Sequence, residues 1–188
     1  MGKIIQMAKA GKISISDLKK SMNKSMGIEA AHDLRQDNPT EVKEWIPTSS
    51  RWLDSIICKG KMAGIPVGKI TEIAGLSSVG KSYLAVQIAA QAQKQGKFVV
   101  YYDAESAIDP KFLTDSGIDM NDNFLYVQAV SVELVLKGIE DMMDQYGHQQ
   151  QFVFIWDSIA ATPSDKDIEG DFNPQSSMAV KPRIFSKA

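Results

Sequence analysis

The sequence predicts an α/β fold, a parallel sheet held between helices, and two observations carry that prediction. From Lys81 onward, helix-like and strand-like stretches alternate, and two of the strands end in carboxylates. Ahead of them an eight-residue loop bounded by glycines, Gly75-Leu76-Ser77-Ser78-Val79-Gly80-Lys81-Ser82, stands between a strand-like run (Lys69 to Ala74) and the first of those helices. Strands separated by helices pair in parallel, because a parallel neighbour requires a crossover long enough to hold a helix.

The elements follow in order. Ser16 is placed to cap a short helix whose apolar residues Leu18, Met22 and Met26 recur every four positions, and Gly27 ends it. So narrow a stripe needs a partner, and either this chain's own core or a neighbouring subunit satisfies it. The turn at Asp37-Asn38-Pro39-Thr40 divides the chain into a basic arm with its linker, residues 1–41, and a core, residues 42–188. The core opens on an element holding Trp45, Trp52, Leu53, Ile56 and Ile57, and Gly64 to Gly68 breaks the chain before the first expected strand. After the loop come a helix from Lys81 to Gln95 stopped by Gly96, a strand from Phe98 to Tyr102, and a helix begun by Asp109 as cap and Pro110 as first residue. A strand from Phe124 to Val127, an amphipathic helix from Ser131 to Tyr146 and an apolar strand from Phe152 to Trp156 closing on Asp157 complete the alternation.

Composition excludes several classes. At 188 residues and 44% apolar content the chain can bury one sizeable core. Its single cysteine, Cys58, rules out a disulfide within the chain and sits beside Ile56 and Ile57 as a small hydrophobe would. No run approaches the roughly 18 apolar residues of a membrane span, and no signal-peptide core opens the chain. The expectation is a soluble, cytoplasmic protein without a membrane partner. The net charge of -2 hides an asymmetry of +4 over residues 1–35 and -6 over the remainder. Contact with nucleic acid would therefore come from a local patch, not from the overall field.

The loop carries the chemistry. A nucleoside triphosphate tail needs several converging backbone N–H donors, and a loop closed by glycines lets the main chain come that near. The helix that follows adds unpaired N–H groups and the positive end of its dipole. Lys81 is placed to reach the β- and γ-phosphates, and Ser82 offers a hydroxyl to Mg²⁺. Asp157, at the end of an apolar strand, is the candidate to hold the same ion, through water. Tyr101-Tyr102-Asp103-Ala104-Glu105 sets two carboxylates at the end of another strand. They serve either to activate water beside the γ-phosphate or only to cap the turn into the next helix.

The octet, together with Tyr102-Asp103-Ala104-Glu105-Ser106-Ala107-Ile108-Asp109-Pro110, Trp156-Asp157-Ser158-Ile159-Ala160-Ala161 and Ile168-Glu169-Gly170-Asp171, resembles the RecA family of recombinases in order and spacing. The resemblance covers residues 42–188 and extends to the phage, UvsX-like branch as well as the bacterial one. It implies a RecA-like phosphate-loop NTPase core using ATP and Mg²⁺, with Glu105 as the catalytic glutamate and Asp109 and Phe112 against the adenine. Phe112 stands where the family often has Tyr, which keeps stacking but removes a phenolic hydrogen bond. By the same resemblance the segment from Asp165 to Val180 corresponds to the first mobile DNA-binding loop, and the basic N-terminal helix to a polymerisation arm. Lys181 and Arg183 are the nearest cations for DNA phosphates.

The family places further strands and a second DNA-binding loop beyond the point this chain reaches. The expectation is therefore an incomplete core: a fragment, a split product completed by a C-terminal chain, or a degenerate copy, with Pro182 disturbing its tail. The implied function is ATP-dependent strand exchange in filaments on single-stranded DNA. The alternatives are another RecA-fold ATPase, such as a helicase motor or RadA-like accessory, and a non-catalytic nucleotide-binding module.

Overall fold

The computed structural model describes residues 13–61, 63–170 and 180–187, and the chain divides between Lys43 and Glu44 into two compact units. The first contains α1 (Ile15–Met26). Ser14, not Ser16, is its cap: the Ser14 side chain accepts the Asp17 N–H, which places Ser16 inside the first turn. Gly27 ends the helix in the left-handed region at φ 70°, where a side chain would be strained. Leu18, Met22 and Met26 all remain exposed. Asn23 ties the following segment back, its Oδ1 accepting the N–H groups of Ala30 and Ala31.

In the second unit, the element expected around Trp45 to Ile57 resolves into a short strand β1 (Trp45–Ile46) and a helix α2 (Arg51–Ile57). The turn between them is set by buried Asp54, whose Oδ1 accepts both the N–H (2.9 Å) and the hydroxyl (2.7 Å) of Thr48. Cys58 is buried, as its apolar surroundings predict. The glycine-rich stretch that follows is more than a break, because β2 (Ile65–Pro66) pairs antiparallel with β1. Gly64 permits this: at φ 104° its Cβ position would lie 2.1 Å from the Ile46 carbonyl oxygen, so no side chain fits.

Lys69 to Ala74 corrects an expectation. The run forms no strand, and Ile70 is fully exposed. Strand propensity expresses a fit between neighbours across a sheet, and among the described residues nothing lies beside this segment to supply it.

The alternation then unfolds as expected through α3 (Lys81–Lys94), β3 (Phe98–Asp103), α4 (Pro110–Asp115), β4 (Phe124–Gln128), α5 (Val132–Tyr146) and β5 (Phe152–Asp157). Two short helices, α6 (Asp165–Glu169) and α7 (Val180–Phe185), complete it. Asp109 caps α4 with Pro110 in its first turn, and Ser131 caps α5. Pro182 sits in the first turn of α7, where its missing N–H is not needed, so the tail accommodates it. The segment 171–179, which holds most of the expected DNA-binding loop, lies outside the described residues.

The three long strands form one parallel sheet in the order β4-β3-β5. Central β3 is apolar on both faces because both are covered. Val99 and Tyr101 pack with α3 residues Val86, Ala89 and Ala90 and with Leu113 of α4, while Val100 and Tyr102 pack with Val135 of α5. β5 has β3 on one side and no strand on the other among the described residues. Gln151 O accepts from Phe98 N and Asp157 O from Ala104 N, so the intervening Phe152, Phe154 and Trp156 turn their backbone N–H and C=O groups toward the open edge.

At the amino end of this sheet the buried Lys97 ammonium bonds the carboxylate of Glu44, and Gln151 braces both. The hydrogen bonds from Lys97 and Gln151 hold the Glu44 carboxyl below its ordinary range despite some desolvation. A carboxyl with a lowered folded-state pKa contributes stability that is complete above its ordinary range and lost as pH falls through the lowered value. Acid should therefore lower the melting temperature through that window, and Glu44→Gln should flatten this limb of the profile. An unchanged acid limb in the variant would remove Glu44 from the account.

Candidate nucleotide site

The loop is exposed from Gly75 to Gly80 and half-buried at Lys81 and Ser82, and its path depends on two left-handed residues, Ser78 at φ 63° and Gly80 at φ 95°. Gly80 leads into α3 without any side-chain cap, which leaves the first-turn N–H groups to an external acceptor. Gly75 is a close-contact position: a Cβ there would lie 3.1 Å from Val79 Cγ2, which would have to shift by a few tenths of an ångström. Lys81 folds over the loop and donates from Nζ to Leu76 O (2.8 Å) and Gly75 O (3.2 Å). These carbonyls hold the ammonium at the loop mouth.

Parallel register brings the two strand-end carboxylates together, Asp103 of β3 beside Asp157 of β5. They and Ser82, Glu105 and Phe112 line one cavity of about 240 Å³ at the carboxyl ends of the strands. In open parallel sheets this is the end where ligands collect. Three carboxylates around so small a volume repel a bare triphosphate and attract a cation. The donors are hard oxygens, from the Ser82 hydroxyl and the Asp157 carboxylate, and among the described residues no cluster of three or more His, Cys, Asp or Glu could by itself cage a metal. Both facts fit Mg²⁺, which is held by one or two protein oxygens and completed by phosphate and water.

The two carboxylates after Tyr102 have different roles. Asp103 is buried and saturated: it accepts the N–H of Glu105 (3.0 Å) and of Ile108 (3.1 Å) and the Tyr126 hydroxyl (3.1 Å). It builds the turn. Glu105 is exposed and, among the described residues, accepts the Ser158 hydroxyl alone, at 3.3 Å from Oε1. Asp109 spends its side chain on the Lys111 N–H as the cap of α4 and does not line the cavity. Phe112 does line it, its ring 6.3 Å from that of Tyr83. Lys181 donates to Ala160 O (3.2 Å), Arg183 is exposed, and neither belongs to the cavity.

Sequence reasoning passed over Tyr101, Tyr126 and Ser158. Tyr101 donates to Asp157 Oδ2 at 2.8 Å. Burial first, then this hydrogen bond and the nearby carboxylates, push the Tyr101 phenol far above its ordinary range, so it remains a donor. The period of two was the available signal, since Tyr101 and Asp103 share one face of β3.

The architecture and the cavity define an α/β protein of the RecA-like class, with its site at the carboxyl edge of a parallel sheet. The chain belongs to the RecA family, with residues 13–188 matching the family model for the RecA N-terminal domain. It is 36% identical over 168 residues to Protein RecA of Aquifex pyrophilus, covering 89% of this chain and 46% of that protein. Protein RecA of Bifidobacterium breve is 36% identical over 89% of this chain and 40% of its own length, and that of Aquifex aeolicus 34% over 96% and 48%. The chain thus spans about half the length of these curated relatives. Among the described residues no helix is long and apolar enough to cross a membrane.

Proposed function

We propose that this chain binds ATP with Mg²⁺ and supplies the nucleotide site of a DNA-dependent ATPase that drives strand exchange on single-stranded DNA. One observation carries the reading: Ser82, Glu105, Phe112 and Asp157, from four separate stretches of sequence, line a single cavity next to a glycine-closed loop. Membership of the RecA family supports the recombinase part.

In this reading the loop N–H groups and Lys81 hold the triphosphate, and Ser82 with Asp157 holds the ion and its waters. Mg²⁺, when bound, neutralises charge on the phosphate oxygens. Glu105 takes a proton from the attacking water, and the Ser158 hydroxyl orients its carboxylate. Phe112 offers a ring face to the base. Lys181 and Arg183 contact DNA phosphates, and two cations give weak, salt-sensitive binding. The partners are single-stranded DNA and further copies of the chain or a complementing C-terminal chain, and the setting is the cytoplasm.

The test is ATP binding and hydrolysis by the full 188-residue chain with and without single-stranded DNA. Glu105→Gln should keep Mg²⁺ and nucleotide while losing about 10²–10⁴-fold in turnover, because the amide keeps the shape and cannot accept the proton. Hydrolysis at the parental rate would place the base elsewhere, and a wild-type chain that fails to bind ATP with Mg²⁺ would overturn the proposal. A second reading, a nucleotide-binding module that acts by association, is favoured by the exposed Leu18, Met22 and Met26 stripe. Its signature is binding without turnover.

A further inference from the structure

Beneath the cavity floor lies a layer of phenols that the reaction scheme does not use. Tyr101 and Tyr126 occupy facing positions on β3 and β4, one strand step before the site. Each sends its hydroxyl to a different carboxylate: Tyr101 to Asp157 Oδ2 at 2.8 Å across to β5, and Tyr126 to Asp103 Oδ2 at 3.1 Å. The two carboxylates are not equivalent. Asp103 already holds two backbone N–H groups, whereas among the described residues Tyr101 is the single donor to the Asp157 carboxylate, and Asp157 Oδ1 accepts none.

We infer that Tyr101 is a positioning residue for the metal-organising carboxylate: its hydroxyl fastens Asp157 by Oδ2 from below the sheet and so presents Oδ1 to the cavity. The inference rests on the nucleotide-site reading above. An aspartate at a strand end has rotational freedom about its side chain, and an ion held through water is sensitive to where the carboxylate points. Tyr101 is fully buried between α3 and the sheet, so its ring cannot move away and the hydroxyl is a fixed anchor. A hydrogen-bonded partner behind a metal-binding group is commonly worth 10–100-fold in metal affinity.

The experiment measures equilibrium affinity for a fluorescent, non-hydrolysable ATP analogue as a function of Mg²⁺ concentration, beside the melting temperature, in the full chain. Tyr101→Phe keeps the ring and its packing while deleting the hydroxyl. The expected result is an Mg²⁺ midpoint about tenfold higher, with Mg²⁺-free analogue affinity unchanged. Tyr126→Phe, which strips a donor from Asp103 instead, should leave the midpoint within about twofold. In an Asp157→Asn background the Tyr101→Phe effect should vanish, because it acts through that carboxylate. An unmoved midpoint in Tyr101→Phe, an equal shift from Tyr126→Phe, or a shift that persists without the carboxylate would each overturn the inference. So would a parallel loss of Mg²⁺-free affinity and melting temperature, the mark of a merely structural role. A wild-type chain showing no Mg²⁺-dependent binding would instead overturn the nucleotide-site reading itself.

Discussion

Replacing Lys81 with alanine is expected to weaken triphosphate binding about 10- to 100-fold and to remove hydrolysis, while leaving the melting temperature close to that of the parent. Lys81 carries the single side-chain cation in the octet. Its ammonium is held at the loop mouth by two backbone carbonyls, so little rotameric freedom remains to be lost when phosphate arrives. Hydrogen bonds between charged groups contribute about 1.5–3 kcal/mol each, and every 1.4 kcal/mol is a factor of about ten in affinity. Stability should change little, because the two carbonyls that Lys81 holds lie on exposed residues, Gly75 and Leu76, where water can replace the amine. Calorimetric titration with a non-hydrolysable ATP analogue, beside a thermal melt, checks both halves. Parental affinity in the variant would show that the loop does not cradle phosphate.

The open edge of β5 has the other large consequence. The incomplete core leads one to expect that the Ile70 and Phe154 strands either close up and pair or need a complementing segment. They do not pair, since Lys69 to Ala74 is not a strand and β5 keeps one neighbour among the described residues. The outward backbone groups of Phe152, Phe154 and Trp156 therefore meet no strand among the described residues, and each would cost roughly 1–3 kcal/mol if it were buried unpaired. Phe152 to Trp156 is a strand without charge or proline whose edge can accept another strand, the signature of a self-associating segment. The isolated chain should thus gain mass with concentration across the micromolar range and melt poorly. The C-terminal half of a bacterial RecA relative, added in trans, should suppress association and raise the melting temperature by binding the native state. Sedimentation and calorimetry would decide: a monomer with a cooperative melt well above ambient, indifferent to the added half, would show that the edge needs no partner.

Local pattern was enough to place α3, α4, α5 and the three long strands, because each answers to a rule that acts within a few residues. Asp109 before Pro110, Ser131 before an amphipathic run and Gly96 after a helix are punctuation of that kind, and their positions held to within a residue. Convergence of Asp103, Glu105 and Asp157 was legible for a related reason, whereas Phe112 came from the family resemblance alone and Ser82 follows a run that forms no strand. In a parallel sheet crossed by helices every strand ends on the same side, so strand-end residues meet wherever they fall in the chain.

Other features depended on neighbours that no local rule names. Lys69 to Ala74 has the composition of a strand and lacks the adjoining strand that would make it one. Asp103 and Glu105, told apart in the sequence by the family resemblance alone, differ physically because the folded turn aims two N–H groups and the Tyr126 hydroxyl at the first and leaves the second exposed. Tyr101 carries no local sign of its role beyond strand membership, and only β5 lying beside β3 sets Asp157 within reach of its hydroxyl. The sequence by itself determined which residues form the long helices and strands and which strand ends hold carboxylates, since propensity, capping and periodicity are short-ranged. Tertiary structure alone decided which carboxylate is buried and held by several donors, which is exposed, and which strand has a neighbour on one side only among the described residues, because a hydrogen bond across a sheet joins residues far apart in the chain and depends on register.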